Sequence, residues 1–161
     1  MTSYRRTRSA ILEGAKSMVA KQGLHKTSMI EIADEAEVSR ATLYNHFRDK
    51  ESVMRALLES EVERIISAAL AEGSPEKALT RMSIEISGDA ALATLRKTDP
   101  AVLTIILTSH HDPLWDQVVT ALRGIADGVQ ELVLLWLIGQ FLAPLSNQEC
   151  RSQATRLFST R

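Results

Sequence analysis

EVSRATLYNHFRDK, residues 37–50, sets only two large apolar side chains, Leu43 and Phe47, among Ser, Arg, Thr, Tyr, Asn and His. A helix this polar buries little and gains little from folding alone. Leu43 and Phe47 lie four apart and share one face. At about 100° per residue, Ala41 and Asn45 point directly away from that face, flanked by Thr42, Tyr44 and His46. Ser39 is a good N-cap, so the helix starts there and ends by Phe47. A thinly anchored, densely polar helix suits a DNA major groove, which admits one helix and offers base edges and phosphates to it. The small Ala41 lets such a helix approach a groove wall closely.

The flanking sequence supplies partners for this helix. Ser28 and Glu31 have capping-box spacing, and the helix they start runs through Ile32, Ala33 and Ala36. Before it, residues 7–21 place Ile11, Ala15, Met18 and Val19 in one helical stripe that stops near Gly23. Asp49 reads as the N-cap of a long fourth helix carrying Val53, Leu57, Ile65, Ile66 and Ala69, broken by Gly73, Ser74 and Pro75. Helical segments follow at about 75–87, 89–97, 100–110, 113–126, 128–142 and 147–159. Strand signals are nearly absent. The expected fold class is all-α: an N-terminal helix-turn-helix domain at 1–49, joined by a long helix to a helical domain at 50–161.

Charge divides along the same line. Residues 1–50 hold nine Lys/Arg against six Asp/Glu, a net of +3; residues 51–161 hold ten against fourteen, a net of −4. A basic front and an acidic back indicate two jobs in one chain. Cys150 is the single cysteine, which excludes an internal disulfide framework and suits a reducing, cytoplasmic setting. No apolar stretch follows the first basic residues, so no signal peptide is expected. The most apolar run, LVLLWLI at 132–138, falls far short of the roughly 20 residues of a membrane span.

IEIADEAEVSRATLYNHFRDKESV, residues 30–53, resembles the DNA-binding domain of the TetR family of transcriptional repressors. The matching positions are Ile32, Ala33, Ala36, Val38, Ser39, Thr42, Leu43, Tyr44, His46, Phe47 and Lys50, within a similarity covering about residues 8–58. The resemblance implies a repressor that binds a palindromic DNA operator as a homodimer and is released by a small-molecule effector. It implies that Thr27 and Lys50 clamp phosphates. Ser39, Arg40, Ala41, Thr42, Tyr44, Asn45 and His46 become the DNA-facing set. Arg40 suits a guanine and Asn45 an adenine. Tyr4, Arg5, Arg6 and Arg8 become a basic arm that tracks the backbone or enters the minor groove. One position departs: Glu37 stands where the family usually has Gly. A left-handed residue there costs Glu on the order of 1 kcal/mol relative to Gly.

The body carries no transferable motif. Residues 128–142 are apolar around the whole helix, so one side is expected to meet a second copy, through Leu132, Leu135, Trp136, Gly139, Leu157 and Phe158. Residues placed to line an apolar effector pocket are Met82, Ile86, Leu103, Ile106, Leu107, His110, Trp115 and Trp136. The chain is shorter than is usual for the family, which implies a small pocket or none. Adjacent His110 and His111 point about 100° apart and make a poor chelate. No paired carboxylates, nucleophile–base set or Gly-rich phosphate loop is apparent, so no enzyme, metal or cofactor is expected. The alternative reading is a dimeric helical interaction module without specific DNA recognition.

Overall fold

A computed structural model describes residues 3–109 and 112–159, and among these every regular element is a helix. The first four are α1 (Ser3–Gln22), α2 (Met29–Glu35), α3 (Arg40–His46) and α4 (Lys50–Leu70). Then come α5 (Pro75–Gly88), α6 (Ala90–Thr98), α7 (Pro100–Thr108), α8 (Pro113–Ile125), α9 (Gln130–Leu142) and α10 (Asn147–Ser159). Local chemistry sets most of these starts. The Ser28/Glu31 capping box forms in both directions, and Ser39 Oγ accepts from the Thr42 N–H at 3.0 Å. Asp49 Oδ1 accepts from Ser52 N at 2.8 Å, and Asp112 Oδ1 accepts from Leu114 N at 2.9 Å. Proline occupies the first position of α5, α7 and α8, where its missing N–H costs nothing.

The chain forms two compact units, Met1–Glu61 with Ala90–Val102, and Val62–Asp89 with Leu103–Arg161. The core of the first holds Ile11, Leu12, Ala15, Ile32, Ala33, Leu43, Phe47, Val53 and Ala56. Gly14 permits α1 to come close to the end of α2, since a Cβ there would lie 3.0 Å from both Cβ and N of Ala36. α6 packs along α1, burying Ala91 and Leu95, and Thr94 Oγ1 donates to the Ala20 carbonyl at 2.6 Å.

In the second unit α5 packs against α9 and α10, and α8 against α9. Gln140 is buried in the largely apolar α9. Its Oε1 accepts from Ser83 Oγ at 2.7 Å and Ser87 Oγ at 3.0 Å, and its Nε2 donates to the Trp136 carbonyl at 3.2 Å. Satisfied in this way, the amide is compatible with an apolar interior. α9 is not enclosed within one chain. Val133 and Leu137 are buried, whereas Leu132, Leu135 and Leu142 are 56%, 66% and 65% exposed. Among the described residues no helix is long and apolar enough to cross a membrane.

The start of α1 differs from the sequence expectation, whereas the left-handed conformation considered for Glu37 is present. α1 begins at Ser3, so the stretch read as a basic arm is helical; Thr7 Oγ1 donates to the Ser3 carbonyl at 3.1 Å within it. Glu37 adopts φ +54°, the left-handed region that disfavours a Cβ. It joins α2 to α3 with its N–H donating to the Asp34 carbonyl at 3.2 Å. Glu37→Gly should therefore raise unfolding stability, by roughly 0.5–1 kcal/mol after the greater freedom of an unfolded glycine is offset. Urea titration of the two chains checks this; an unchanged or lowered midpoint would show that the turn carries no strain.

Candidate nucleic-acid interface

The exposed face of α3 follows from its anchoring. Leu43 and Phe47 are buried, and Arg40, Ala41, Tyr44 and Asn45 are exposed beside half-buried Thr42 and His46. Ser39 is also exposed, its hydroxyl 2.7 Å from that of Thr42. These residues form one continuous polar surface on a helix whose other side is core. The paired guanidinium donors of Arg40 and the amide donor and acceptor of Asn45, five residues apart, match guanine and adenine edges.

The two expected phosphate clamps have internal roles in this state. Thr27 is buried and its Oγ1 donates to the Gly23 carbonyl at 2.7 Å. Lys50 Nζ donates to the carbonyls of Leu24 at 3.2 Å and Thr27 at 3.0 Å. An ammonium has three donors, so one remains for a phosphate. Lys50 thus fixes the α1–α2 turn with two of its hydrogens.

The first turns of α1 reach the end of α3. The Tyr4 ring stacks on His46 with centroids 4.2 Å apart and planes at 29°. The Arg8 guanidinium carbon lies 5.6 Å from the centroid of the Phe47 ring. His46 Nδ1 is enclosed without a hydrogen-bond partner. Arg5 and Arg6 are exposed next to Tyr4. The sequence contains the signal for this placement, because Tyr4 and Arg8 extend the helical stripe of Ile11, Ala15, Met18 and Val19 toward the N-terminus.

Among the residues expected to line an effector pocket, Met82, Ile86, Leu103 and Leu107 are buried and Ile106, Trp115 and Trp136 are half-buried. Trp115 Nε1 donates to the Ile106 carbonyl at 3.2 Å, and Trp136 Nε1 to Gln153 Oε1 at 2.7 Å. His110 and His111 lie outside the described residues. An open cleft of about 420 Å³ lies in the first unit, bordered by His25, Lys26, Asp99 and Val102, and none of the expected pocket residues borders it. Leu132, Leu135 and Gly139 of the expected dimer seam are exposed, with Trp136, Leu157 and Phe158 half-buried.

Residues 11–57 match the model of the tetR family of bacterial regulatory proteins. The HTH-type transcriptional regulator UidR of Escherichia coli strain K12 is 33% identical over 66 residues, 41% of this chain and 34% of that protein. The chain therefore matches about a third of the length of such curated relatives. The TetR family repressor AlkX from Dietzia sp. strain DQ12-45-1b has the same fold, with a TM-score of 0.66 at 17% identity over 94% of this chain and 95% of that one. FadR from Bacillus subtilis, solved in complex with stearoyl-CoA, aligns with a TM-score of 0.52 at 18% identity over 95% and 98%. At these identities the structural likenesses establish the fold.

The turn before α2 has a further support that sequence reading misses. Asp99, between α6 and α7, accepts from the backbone N–H groups of Leu24 at 3.0 Å and His25 at 3.1 Å. Thr98 Oγ1 donates to the same carboxylate at 2.5 Å. Gly23 makes room for it: at φ +88°, a Cβ there would lie 2.3 Å from Thr98 Oγ1 and 2.6 Å from Asp99 Oδ2. The Thr98 hydroxyl first, then the His25 and Leu24 N–H groups, hold the Asp99 carboxyl below its usual value against the opposing effect of burial. A depressed folded-state value means that the carboxylate's contribution is complete above the unfolded value and is lost as pH falls through the folded one. Wild type should exceed Asp99→Asn in melting temperature at about pH 6, with the gap closing below about pH 4. A gap that does not depend on pH would remove the carboxylate charge from the account.

Proposed function

We propose that this chain, a helix-turn-helix protein of the TetR family, represses transcription by binding a palindromic operator as a homodimer and releasing it on binding a small-molecule effector. The observation that carries the reading is the polar face of α3: Arg40, Ala41, Tyr44 and Asn45 exposed over buried Leu43 and Phe47. Residues 1–49 are the reading head, and 50–161 the effector-binding and dimerisation part. Lys50, at the start of α4, takes a phosphate through its remaining ammonium donor, and Thr27, whose hydroxyl and N–H are engaged by the carbonyls of Gly23 and Leu24, fixes the α1–α2 turn beside it. Ser39, Thr42 and His46 contact backbone or base edges beside them, and Arg5 and Arg6 meet the flanking backbone. Such a protein works in the cytoplasm.

Dimerisation is supported by α9. Leu132, Leu135, Gly139 and Leu142 are spaced three, four and three apart, which places them on one helical face, and all four are exposed in the single chain. A second copy offering the same face would bury it by two-fold symmetry, with Trp136, Leu157 and Phe158 at the margin. Two reading heads then meet half-sites about one DNA turn apart. An apolar effector fits the composition of the second unit, where Met82, Ile86, Leu103, Ile106, Leu107, Trp115 and Trp136, with His110, remain the candidate lining. The acyl ligand of the Bacillus subtilis FadR complex shows that this fold accommodates one in that protein.

Selection from random duplex DNA, followed by gel shift at moderate salt, tests the reading. Wild type should enrich a symmetric sequence. Arg40→Ala with Tyr44→Ala should lose several kcal/mol of specific binding, at about 1–3 per base contact. Equal retention by the double variant would instead favour a helical interaction module without DNA recognition. For the seam, Leu132→Asp with Leu135→Asp should give a monomer by sedimentation with unchanged helical circular dichroism, because both side chains are already exposed. Persistence of a dimer would place the interface elsewhere.

A further inference from the structure

We infer that Tyr4 and Arg8 are positioning residues of the DNA interface, fastening the first turns of α1 to the end of α3 so that both present one surface; this rests on the DNA-binding reading above. Positions 4 and 8 lie on the face of α1 that also carries Ile11, Leu12, Ala15, Met18 and Val19, the core-facing line. Ile11 is fully buried, whereas Tyr4 is 58% exposed and Arg8 half-buried. The line therefore runs past the end of the core, and its last two members are amphipathic. They meet consecutive residues of the reading segment, Tyr4 on His46 at 4.2 Å and Arg8 on Phe47 at 5.6 Å.

The stack bears on DNA binding because no hydrogen bond orients the His46 ring. Its Nδ1 is enclosed without a hydrogen bond, and its other ring contact, with Phe47, is tilted at 6.4 Å. An imidazole on the last turn of a short helix would otherwise sample several rotamers, and fixing it would then subtract from binding. The Tyr4 ring fixes its plane beforehand. The same contact sets the offset of Arg5, about 100° around α1 from Tyr4, relative to the end of α3. The cation–π contact holds the Arg8 guanidinium against Phe47, which the core already fixes.

The experiment uses the full chain and a duplex that wild type recovers from a random-sequence pool, read by fluorescence anisotropy with melting temperatures in parallel. Tyr4→Ala should weaken binding about three- to tenfold, the size of one aromatic pair. Tyr4→Phe keeps the ring and should bind like wild type. Both should melt near wild type, because an exposed side chain contributes little to burial. If Tyr4 acts through His46, the double variant Tyr4→Ala with His46→Ala binds no more weakly than the weaker single variant. Wild-type affinity in Tyr4→Ala, losses that multiply in the double variant, or a lowered melting temperature with unchanged affinity would each overturn the proposal. Failure of wild type to enrich any sequence would instead overturn the DNA-binding reading beneath it.

Discussion

Leu43 sits without exposed surface in the cluster that holds Ile11, Ile32, Ala33 and Val53, and with Phe47 at the C-cap it is the buried apolar anchor of α3. Full burial of two such side chains is worth roughly 1.5–3 kcal/mol each. Fixing the backbone of seven residues costs about 1–2 kcal/mol per residue. α3 therefore does not fold on its own account; its neighbours impose its position. This explains why so much of the first unit is devoted to those neighbours. The capping boxes, the close approach at Gly14 and the Lys50 ammonium on two carbonyls all fix α1, α2 and the start of α4. The direction in which Arg40 and Asn45 point is inherited from that frame.

The helices were legible in the sequence wherever local chemistry starts them. Ser28 with Glu31, Ser39, Asp49, Asp112 and the first-position prolines each act within a few residues, so their spacing alone locates a helix end. The polar face of α3 was legible for the same reason, since two anchors four apart define both sides of a helix. What escaped is non-local or depends on an environment. Asp99 supports the α1–α2 turn from about 75 residues away, and nothing in its neighbours announces that. Thr27 looks like any exposed cap residue until its hydroxyl is seen turned inward to Gly23. The start of α1 lies earlier than expected because Arg5, Arg6 and Arg8 read as a basic arm ahead of the helix. The spacing of Tyr4 and Arg8 continues the stripe of Ile11 and Ala15, but their partners at 46 and 47 are non-local.

In the second unit the same economy appears with the opposite polarity. α9 is apolar on nearly every side, and a helix of that kind has few features to stop it sliding along a neighbour. Gln140 supplies one. Its carbonyl accepts from Ser83 and Ser87, one turn apart on α5, and Ser87 also receives the N–H of Leu145 just beyond α9. A shift of α9 along α5 by even one residue would strand a buried amide and two hydroxyls, a larger penalty than the hydrogen bonds are worth when made. The polar group gives register to a contact that apolar packing leaves loosely determined.

The packing of α6 on α1 has a consequence for how such heads are inherited. Residues 90–102 contribute Ala91 and Leu95 to the covering of α1 and Asp99 to the turn that follows it, although they lie well beyond the first 61 residues in the chain. A single recombination point after the fourth helix begins would transfer a head with its outer side uncovered and its turn unsupported. Exchange of the whole first unit between such proteins then requires two crossovers, or else a recipient whose own residues at these positions already match the incoming α1. Selection on the head therefore acts on two separated stretches of gene at once.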